Sequence, residues 1–281
     1  ASGNGSFLTR GGDIRGDGIR AGLQSADGNV NAYFVGIEAN GNRASGIVLD
    51  AEGLNDVDVA AVHVDAIDNR HDGIRFDLES QSEDVFALVA GADASGNGDD
   101  GIAIRATAAD DASVGISDTI ASGNDGNGIS ANIQGGDYAD FFVGNLAVED
   151  LDDIYDFIDD VGILGDLIPQ GEVIASDNSL NGISVSLVAG TGDATLVASE
   201  TTADDNTGHG LDFSLDSSAG TGDALAFLFS TQTLGNGNED INGSVESDAG
   251  DAIISGTNVV YSGYSLSATA GTGTADIDIN P

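Results

Sequence analysis

The chain of 281 residues contains no cysteine and no lysine, and all seven of its arginines precede residue 106. The absence of cysteine excludes a disulfide framework and any chemistry that needs a thiol. No apolar run approaches about 18 residues, which excludes a transmembrane helix, and no signal peptide is recognisable. The chain begins at Ala1 without a methionine, which fits a processed mature protein and fits an arbitrary boundary equally well.

Basic residues are scarce against a large excess of acids. The 48 carboxylates give a formal net charge of −41. Up to residue 105, 18 acids and seven arginines give −11, and the remaining 30 acids, with no basic residue, give −30. Such a chain will not bind nucleic acid by neutralising phosphates, and an anionic membrane or polysaccharide would repel it. We therefore expect no nucleic-acid partner and no membrane insertion.

Charge of this density destabilises a compact state unless ions screen it. High ionic strength shortens the screening length to about 3 Å at 1 M salt, and divalent cations would act locally. These considerations favour an extracellular, saline or calcium-containing setting. A highly acidic protein inside a salt-accumulating cell is the competing interpretation.

One sequence pattern recurs at a nearly fixed period of 27 or 28 residues. It consists of an Asn followed four residues later by a Gly and then by Ile or Leu, with an Ala three residues before the Asn. The matching Asn and Gly pairs are Asn42 and Gly46, Asn69 and Gly73, Asn97 and Gly101, Asn124 and Gly128, Asn178 and Gly182, and Asn206 and Gly210. Gly18 opens a weaker copy. The one double spacing, between Gly128 and Gly182, predicts a degenerate copy between them. A fixed period of this size predicts a stacked-repeat protein.

Each repeat predicts two long strands, or three if the second apolar run bends, and leaves no room for a helix. Apolar side chains alternate after the Gly, as in Ile74, Phe76 and Leu78, which indicates a half-buried strand. A polar turn and a second apolar run follow, such as 85–90. Because equivalent residues recur in every repeat, equivalent strands are expected to stack in parallel, about 4.8 Å apart.

The Asn and Gly positions have physical reasons to be fixed. Asn tolerates the left-handed backbone of a sharp bend, and stacked Asn amides can hydrogen-bond to one another. The Gly allows another backbone to pass where a Cβ would clash.

On these motifs the chain resembles the right-handed parallel β-helix repeat family, which includes pectate-lyase-like enzymes, phage tailspikes and the passenger regions of bacterial surface proteins. The resemblance covers roughly residues 13–240. It implies an all-β, right-handed parallel β-helix of about ten coils. Because the repeated residues are structural, it implies little about activity.

The expected architecture is a single domain with one interruption. Residues 1–16 form an irregular edge coil, 17–150 and 171–239 form regular coils, and 240–281 form shorter coils. Residues 151–170 are expected to form an acidic amphipathic helix, because Leu151, Ile154, Tyr155, Ile158 and Val161 have helical spacing. This helix either covers the side of the rod or docks a neighbouring subunit.

Neither end carries a visible helical cap, so exposed sheet edges are expected to pair with another chain. The part with arginines and the part without them would complement each other head to tail, a contact that does not close and gives filaments. The candidate subunit contacts are Tyr155, Phe157, Ile158, Arg15, Arg43 and Arg70. The stacked arginines, beside many acids, are expected to form a solvated ion-pair stripe of little net stability, and a partner surface is the alternative.

No coherent catalytic constellation is present, and no catalytic residue is assigned. The Gly208-His209-Gly210 element resembles one of the polygalacturonase-like glycosidases, but Gly210 is the repeat glycine and the other signatures of that family are missing. Carboxylate pairs adjacent in sequence suit glycoside hydrolysis, yet 48 acids produce such pairs freely. A lyase needs a basic proton abstractor, which the chain hardly offers.

Calcium is the one candidate cofactor, since hard cations take several carboxylate and carbonyl oxygens. Asp99, Asp100 and Asp125, in polar turns, are the candidate ligands. The alternative is a diffuse cloud of counter-ions.

The sequence thus favours a non-enzymatic extracellular structural protein, a self-associating acidic solenoid that forms a fibre, surface layer or adhesin stalk. A polysaccharide-active or carbohydrate-binding β-helix and a calcium-dependent adhesive module are the alternatives.

Overall fold

The protein is described from a computed structural model, which covers residues 16–145 and 171–281. These residues form strands, turns and bends, and contain no helix. The strands, in chain order, are β1 Ile19–Ser25, β2 Val30–Glu38, β3 Ile47–Gly53, β4 Val57–Asp65, β5 Ile74–Ser80, β6 Val85–Ala90, β7 Ile102–Thr107, β8 Ala112–Ser117, β9 Ile129–Gly135, β10 Ala139–Gly144, β11 Val173–Ile174, β12 Ile183–Ala189, β13 Ala194–Ser199, β14 Thr201–Thr202, β15 Leu211–Asp216, β16 Ala224–Phe229, β17 Gln232–Thr233, β18 Ile241–Ser247, β19 Ala252–Thr257, β20 Val260–Tyr261, β21 Tyr264–Ala270 and β22 Ala275–Asn280.

The strands form three parallel sheets that wind into a solenoid. The first sheet runs in the order β1-β3-β5-β7-β9-β12-β15-β18-β21, and the second in the order β2-β4-β6-β8-β10-β13-β16-β19-β22. A third, narrow sheet has the order β11-β14-β17-β20, and isolated bridges through Asp93 and Ile120 continue it into the earlier coils. The predicted parallel β-solenoid is confirmed, with nine strands in each long sheet.

Register explains why the repeat columns are so uniform. Ile47 pairs with Ile74, which pairs in turn with Ile102 on the next strand. Inward side chains of both long sheets therefore lie above their equivalents in one continuous buried core. Phe34 and Phe76 stack within it, with ring centroids 5.9 Å apart. Each fully buried Ile or Leu in such a column contributes about 1.5–3 kcal/mol.

Each coil turns at three corners. The first corner joins a strand of the first sheet to one of the second. The second joins the second sheet to the third, and the third, which carries the repeated Asn, returns to the first sheet.

The expected degenerate copy between Gly128 and Gly182 is wrong. Strand β9 pairs directly with β12, and Ile129 lies opposite Ile183. The double spacing therefore belongs to a single coil that carries an insertion at its second corner, between Asn145 and Gly171. The predicted helix at 151–170 lies outside the described residues, as do residues 1–15.

Candidate functional site

A ladder of side-chain amides runs along the third corner. Each Asn donates its backbone N–H and its Nδ2 to the Oδ1 of the Asn one coil further on. For Asn97 and Asn124 the two distances are 2.8 Å and 3.1 Å. The ladder contains Asn42, Asn69, Asn97, Asn124, Asn178, Asn206 and Asn236. Because most of these amides are buried, each hydrogen bond also avoids the cost of an unsatisfied polar group.

The repeat Asn was expected to adopt the left-handed backbone conformation at this corner, and that expectation is wrong. The residue before the Asn has the positive φ instead, as Asp68, Gly96 and Gly123 show. The Asn is then free to align its side chain with the stack. Asp fills the left-handed position in some coils because its short polar side chain tolerates this conformation.

The repeat glycines lie against the ladder. A Cβ at Gly101 would lie 2.6 Å from the Ala94 carbonyl oxygen, 2.7 Å from Asn124 Nδ2 and 2.7 Å from the Gly128 carbonyl oxygen. The repeat glycines at 46, 73, 128 and 182 meet the equivalent three atoms at similar distances. This column is therefore fixed by close packing between coils.

The ladder ends on a carboxylate. Asp240 stands where the repeat glycine would be, and its Oδ1 accepts from Nδ2 of Asn236 at 2.9 Å. Its Oδ2 accepts from the backbone N–H and hydroxyl of Ser262. Burial opposes ionisation of Asp240, but these hydrogen bonds outweigh it and lower the pKa of the carboxyl below its usual value. Sequence analysis missed Asn236 because its partner position is Asp rather than Gly.

A second, more exposed ladder lies beside the first. It uses the residue before the repeat glycine, so that Asp100 accepts from the backbone N–H and Nδ2 of Asn127 at 2.7 Å and 3.1 Å. The backbone N–H of Asp100 donates in turn to Asp72 at 3.3 Å. Burial raises the pKa of both Asp72 and Asp100, and the charge of Asp100 adds to the rise at Asp72.

The three calcium candidates at this corner do not share one set of partners. Asp99 is exposed and its Oδ2 lies 2.8 Å from Nδ1 of His71. Asp100 is occupied by Asn127, and Asp125 is exposed in the next turn. Specific calcium binding by these residues stays a prediction.

A different group of carboxylates lies closer together, at the first corner. Oxygens of Asp84, Asp110 and Asp111 lie within 4.8 Å of one another, the only such group of three among the residues that the structure describes. Burial raises the pKa of Asp111 to about 6, and the charges of Asp84, Asp110 and Asp137 add to the rise, while the N–H of Tyr138 opposes it. Carboxylate oxygens are ligands that calcium prefers, but exposed acidic groups are common without an ion.

A groove of about 670 Å³ lies on the outer face of the first sheet, across β1, β3, β5 and β7. Register places Asp50 opposite Asp77 and Glu52 opposite Glu79, while Arg105 follows Asp77 on β7. Strands of one sheet lie about 4.8 Å apart, so two pairs of carboxylates stand side by side.

The acids of this groove differ in their partners. Arg20 Nη2 donates to Asp50 at 3.0 Å, and Gln24 and Gln81 donate to the two oxygens of Glu52 at 2.8 Å and 2.6 Å. Asp77 and Glu79 accept no side-chain hydrogen bond from the described part of the chain. Sequence analysis missed this site because it looked for acids adjacent in sequence, whereas the repeat period was the signal that would have found it.

The arginines do not form the expected stripe of ion pairs. Of the arginines in the described part of the chain, only Arg20 has carboxylates within 4.0 Å, Asp17 at 3.3 Å and Asp50 at 3.0 Å. Arg43 and Arg70, two of the candidate subunit contacts, are exposed. The other candidates, Arg15, Tyr155, Phe157 and Ile158, lie outside the described residues.

The last coil exposes the columns that are buried elsewhere. Tyr264 and Ile277 continue the columns of Ile241 and Ile254. Tyr264 is 52% exposed and Ile277 40% exposed, against 0% for both Ile241 and Ile254. Within the described residues, β21 and β22 each have a neighbouring strand on one side only. This surface therefore presents apolar side chains together with unpaired backbone groups.

The described residues contain no helix that is long and apolar enough to cross a membrane. Comparison with protein-family models, with curated proteins and with solved structures finds no match to this chain.

Proposed function

We propose that the protein is a non-enzymatic extracellular structural protein, an acidic solenoid that associates with further copies of itself into a fibre, surface layer or adhesin stalk. As part of this proposal, the chain is similar in role to the passenger regions of bacterial surface proteins. One observation carries it: within the described residues, β21 and β22 present a stacking edge on which Tyr264 and Ile277 continue buried core columns and are exposed.

The physical argument is that a solenoid grows by repeating one interface. Each coil in the stack satisfies its strand edges and its core columns against the next, so an open coil has the shape and hydrogen-bonding pattern of a coil interface. Sheet edges of this kind bind a further strand by main-chain hydrogen bonds. Because the acidic charge is lower before residue 106 than after it, a head-to-tail filament avoids contacts between two of the more acidic parts.

The polar residues support a structural role. The Asn amides donate to and accept from neighbouring coils. Several corner carboxylates accept from the next coil, as Asp193 Oδ1 accepts from the backbone N–H of Asp223 at 2.7 Å. An extracellular, saline setting fits the same proposal, because salt that screens the net charge also permits association.

Sedimentation velocity and electron microscopy of the full chain, across salt and calcium concentrations, test the proposal. We expect concentration-dependent association that strengthens with salt. The double variant Tyr264→Asp and Ile277→Asp should weaken association at least about tenfold, since it adds charge to the stacking edge. Phe229→Asp, on the side of the rod, is the matched control and should associate like the parent. Monodisperse monomers under every condition, or undiminished association of the double variant, would contradict the proposal.

The groove on the first sheet favours a second candidate function, binding or cleavage of a polysaccharide. Paired carboxylates about 5–5.5 Å apart are typical of retaining glycosidases, and Asp50 and Asp77 are register partners on strands spaced about 4.8 Å apart. Incubation with neutral and anionic polysaccharides, with reducing ends and bound sugar both measured, tests it. Asp77→Asn with Glu79→Gln should abolish either signal, and Asp276→Asn should leave it unchanged.

A further inference from the structure

The outer face of the second sheet is buried where a solenoid would leave it open to solvent. On β4, β6 and β8 the side chains alternate between the core and the outside, yet β6 is buried at all six positions. The outward residues Ala60, Val62, Leu88 and Ala90 are 0% exposed and do not belong to the continuous core. We call the outward set the covered face. It comprises Ala60, Val62, Phe86, Leu88, Ala90, Gly115 and Ser117.

The same face is open further along the rod. On β13, β16 and β19 the outward positions are partly or fully exposed, and each strand alternates regularly between buried and accessible residues. Ser255 on β19 occupies the same register column as Ala60 on β4 and is accessible. Sheet geometry alone therefore does not bury the column, and something packs on the covered face.

The strands of the described residues do not supply this layer. Strands β4, β6 and β8 have their sheet neighbours beside them and the core behind them. An apolar sheet face reaches full burial only against a second layer.

The chain departs from the stack next to this face. Residues 146–170 lie between Asn145, which follows β10, and Gly171, whose carbonyl oxygen accepts from the N–H of Asp118 at 3.2 Å. Asp118 directly follows β8. Both ends of the 25-residue segment therefore lie at the second corner, beside β8 and β10.

We propose that residues 146–170 of the same chain occupy the covered face. The segment is rich enough in apolar residues to bury it, for it contains Leu146, Val148, Leu151, Ile154, Tyr155, Phe157, Ile158, Val161, Ile163, Leu164, Leu167 and Ile168. Its eight acids are interspersed among these residues, so the segment offers both apolar side chains for the sheet and carboxylates for water. The face is thereby closed to lateral contact between rods, and this holds whether or not the rods associate at their ends.

The absence of cysteine makes single-cysteine labelling a clean test. Ala60→Cys should react with a maleimide at least about tenfold more slowly than Ser255→Cys, because labelling of a covered site requires local opening. Deleting residues 145–171 should remove that difference. The deletion shortens the Asn124–Asn178 separation from 54 positions to 27, the separation between Asn42 and Asn69, so the coil can still close.

The labelling rates distinguish residues 146–170 from the other possible occupants of the covered face. Equal labelling of the two cysteines in the full chain would overturn the proposal, and so would protection of Ala60→Cys that persists in the folded deletion variant, which would assign the face to residues 1–15. Protection that is lost on dilution would assign it to a second copy and would also overturn the proposal.

A second variant guards against failure of the deletion variant to fold. In the full chain, Ile154→Asp with Ile158→Asp should raise the labelling rate of Ala60→Cys at least about tenfold, because it replaces two apolar side chains of the segment with charges that are costly to bury. Asp152→Asn with Asp153→Asn is the matched control and should leave the rate unchanged. An unchanged rate in the Ile154 and Ile158 variant would overturn the proposal.

Discussion

At the scale of single residues, one type of side chain has two opposite effects in this protein. Asp240 ends the Asn ladder and accepts hydrogen bonds from Asn236 and Ser262, which lower the pKa of its carboxyl. Asp111 stands beside Asp84 and Asp110, and burial and neighbouring charge raise its pKa to about 6. The first carboxylate stabilises the fold when ionised and the second destabilises it, and the difference is the number of donors that each one faces.

Because the pKa of Asp111 is raised, its ionisation should lower the stability of the fold. The carboxyl takes up a proton more readily in the folded chain than in the unfolded chain, whose value is 3.8. Its ionised form therefore destabilises the fold above about pH 6, and this penalty disappears as the pH falls toward 3.8. Asp111→Asn keeps an acceptor for the Tyr138 N–H and should raise the free energy of unfolding above about pH 7 by about 1 kcal/mol, after allowance for solvent screening.

Urea unfolding with a chelator present, at about pH 7.5 and about pH 4, measures this effect. The gain should vanish at the lower pH, and Asp276→Asn on the exposed last strand should show no comparable gain at either. A gain of equal size at both values of pH would show that the charge of Asp111 is not its cause.

At the scale of the coil, sequence specifies what recurs and leaves open what occurs once. The repeat period sufficed to predict the strands, the parallel stacking and the Asn ladder, because the same residue makes the same contact in successive coils. It misplaced the left-handed residue, because Asp68 and Gly96 fill that position in different coils and leave no single-letter column.

Features confined to one place were harder to predict. The insertion after Asn145 has nearly the length of one repeat, so its length imitated a missing coil. The acids of the groove become visible only when β3 and β5 are compared one repeat apart. The covered face depends on contacts across the outside of a sheet, which leave no periodic signal.

The repeat glycines provide the prediction at this scale. Gly101→Ala places a Cβ against two carbonyl oxygens and Asn124 Nδ2, all of them held by the ladder and the strand register. We expect a loss of about 3 kcal/mol or more in the free energy of unfolding, as overpacking against a rigid backbone gives. Gly22→Ala is the control, because nothing lies within 4 Å of its added Cβ, and it should change stability by less than about 0.5 kcal/mol. Equal denaturant midpoints for the two variants would refute the packing explanation.

At the scale of the whole molecule, the rod combines a strong internal register with a net charge that opposes compactness. The stack places equivalent residues of successive coils about 4.8 Å apart, so carboxylates that share a column repel one another along the rod. Hydrogen bonds relieve this repulsion where a backbone N–H faces the carboxylate, as at Asp193 and Asp223, where the donor lies at 2.7 Å. Side-chain donors do the same at Asp50 and Glu52, and carboxylates without a donor depend on dissolved ions.

Unequal charge along the chain predicts where low salt weakens the rod first. Residues 106–281 carry −30 without a basic side chain, and residues 1–105 carry −11, so the later coils gain more from screening. Comparing hydrogen exchange of β5 with that of β15, both interior strands, at about 0.05 M and about 1 M NaCl tests this. We expect salt to slow exchange in β15 more than in β5, and sucrose to slow both alike.

A few millimolar calcium should reproduce the salt effect only if the ion is specifically bound, since calcium at this concentration adds little to the ionic strength. If salt protects β5 and β15 equally, electrostatic repulsion does not set the stability of the later coils, and the saline setting loses its physical basis.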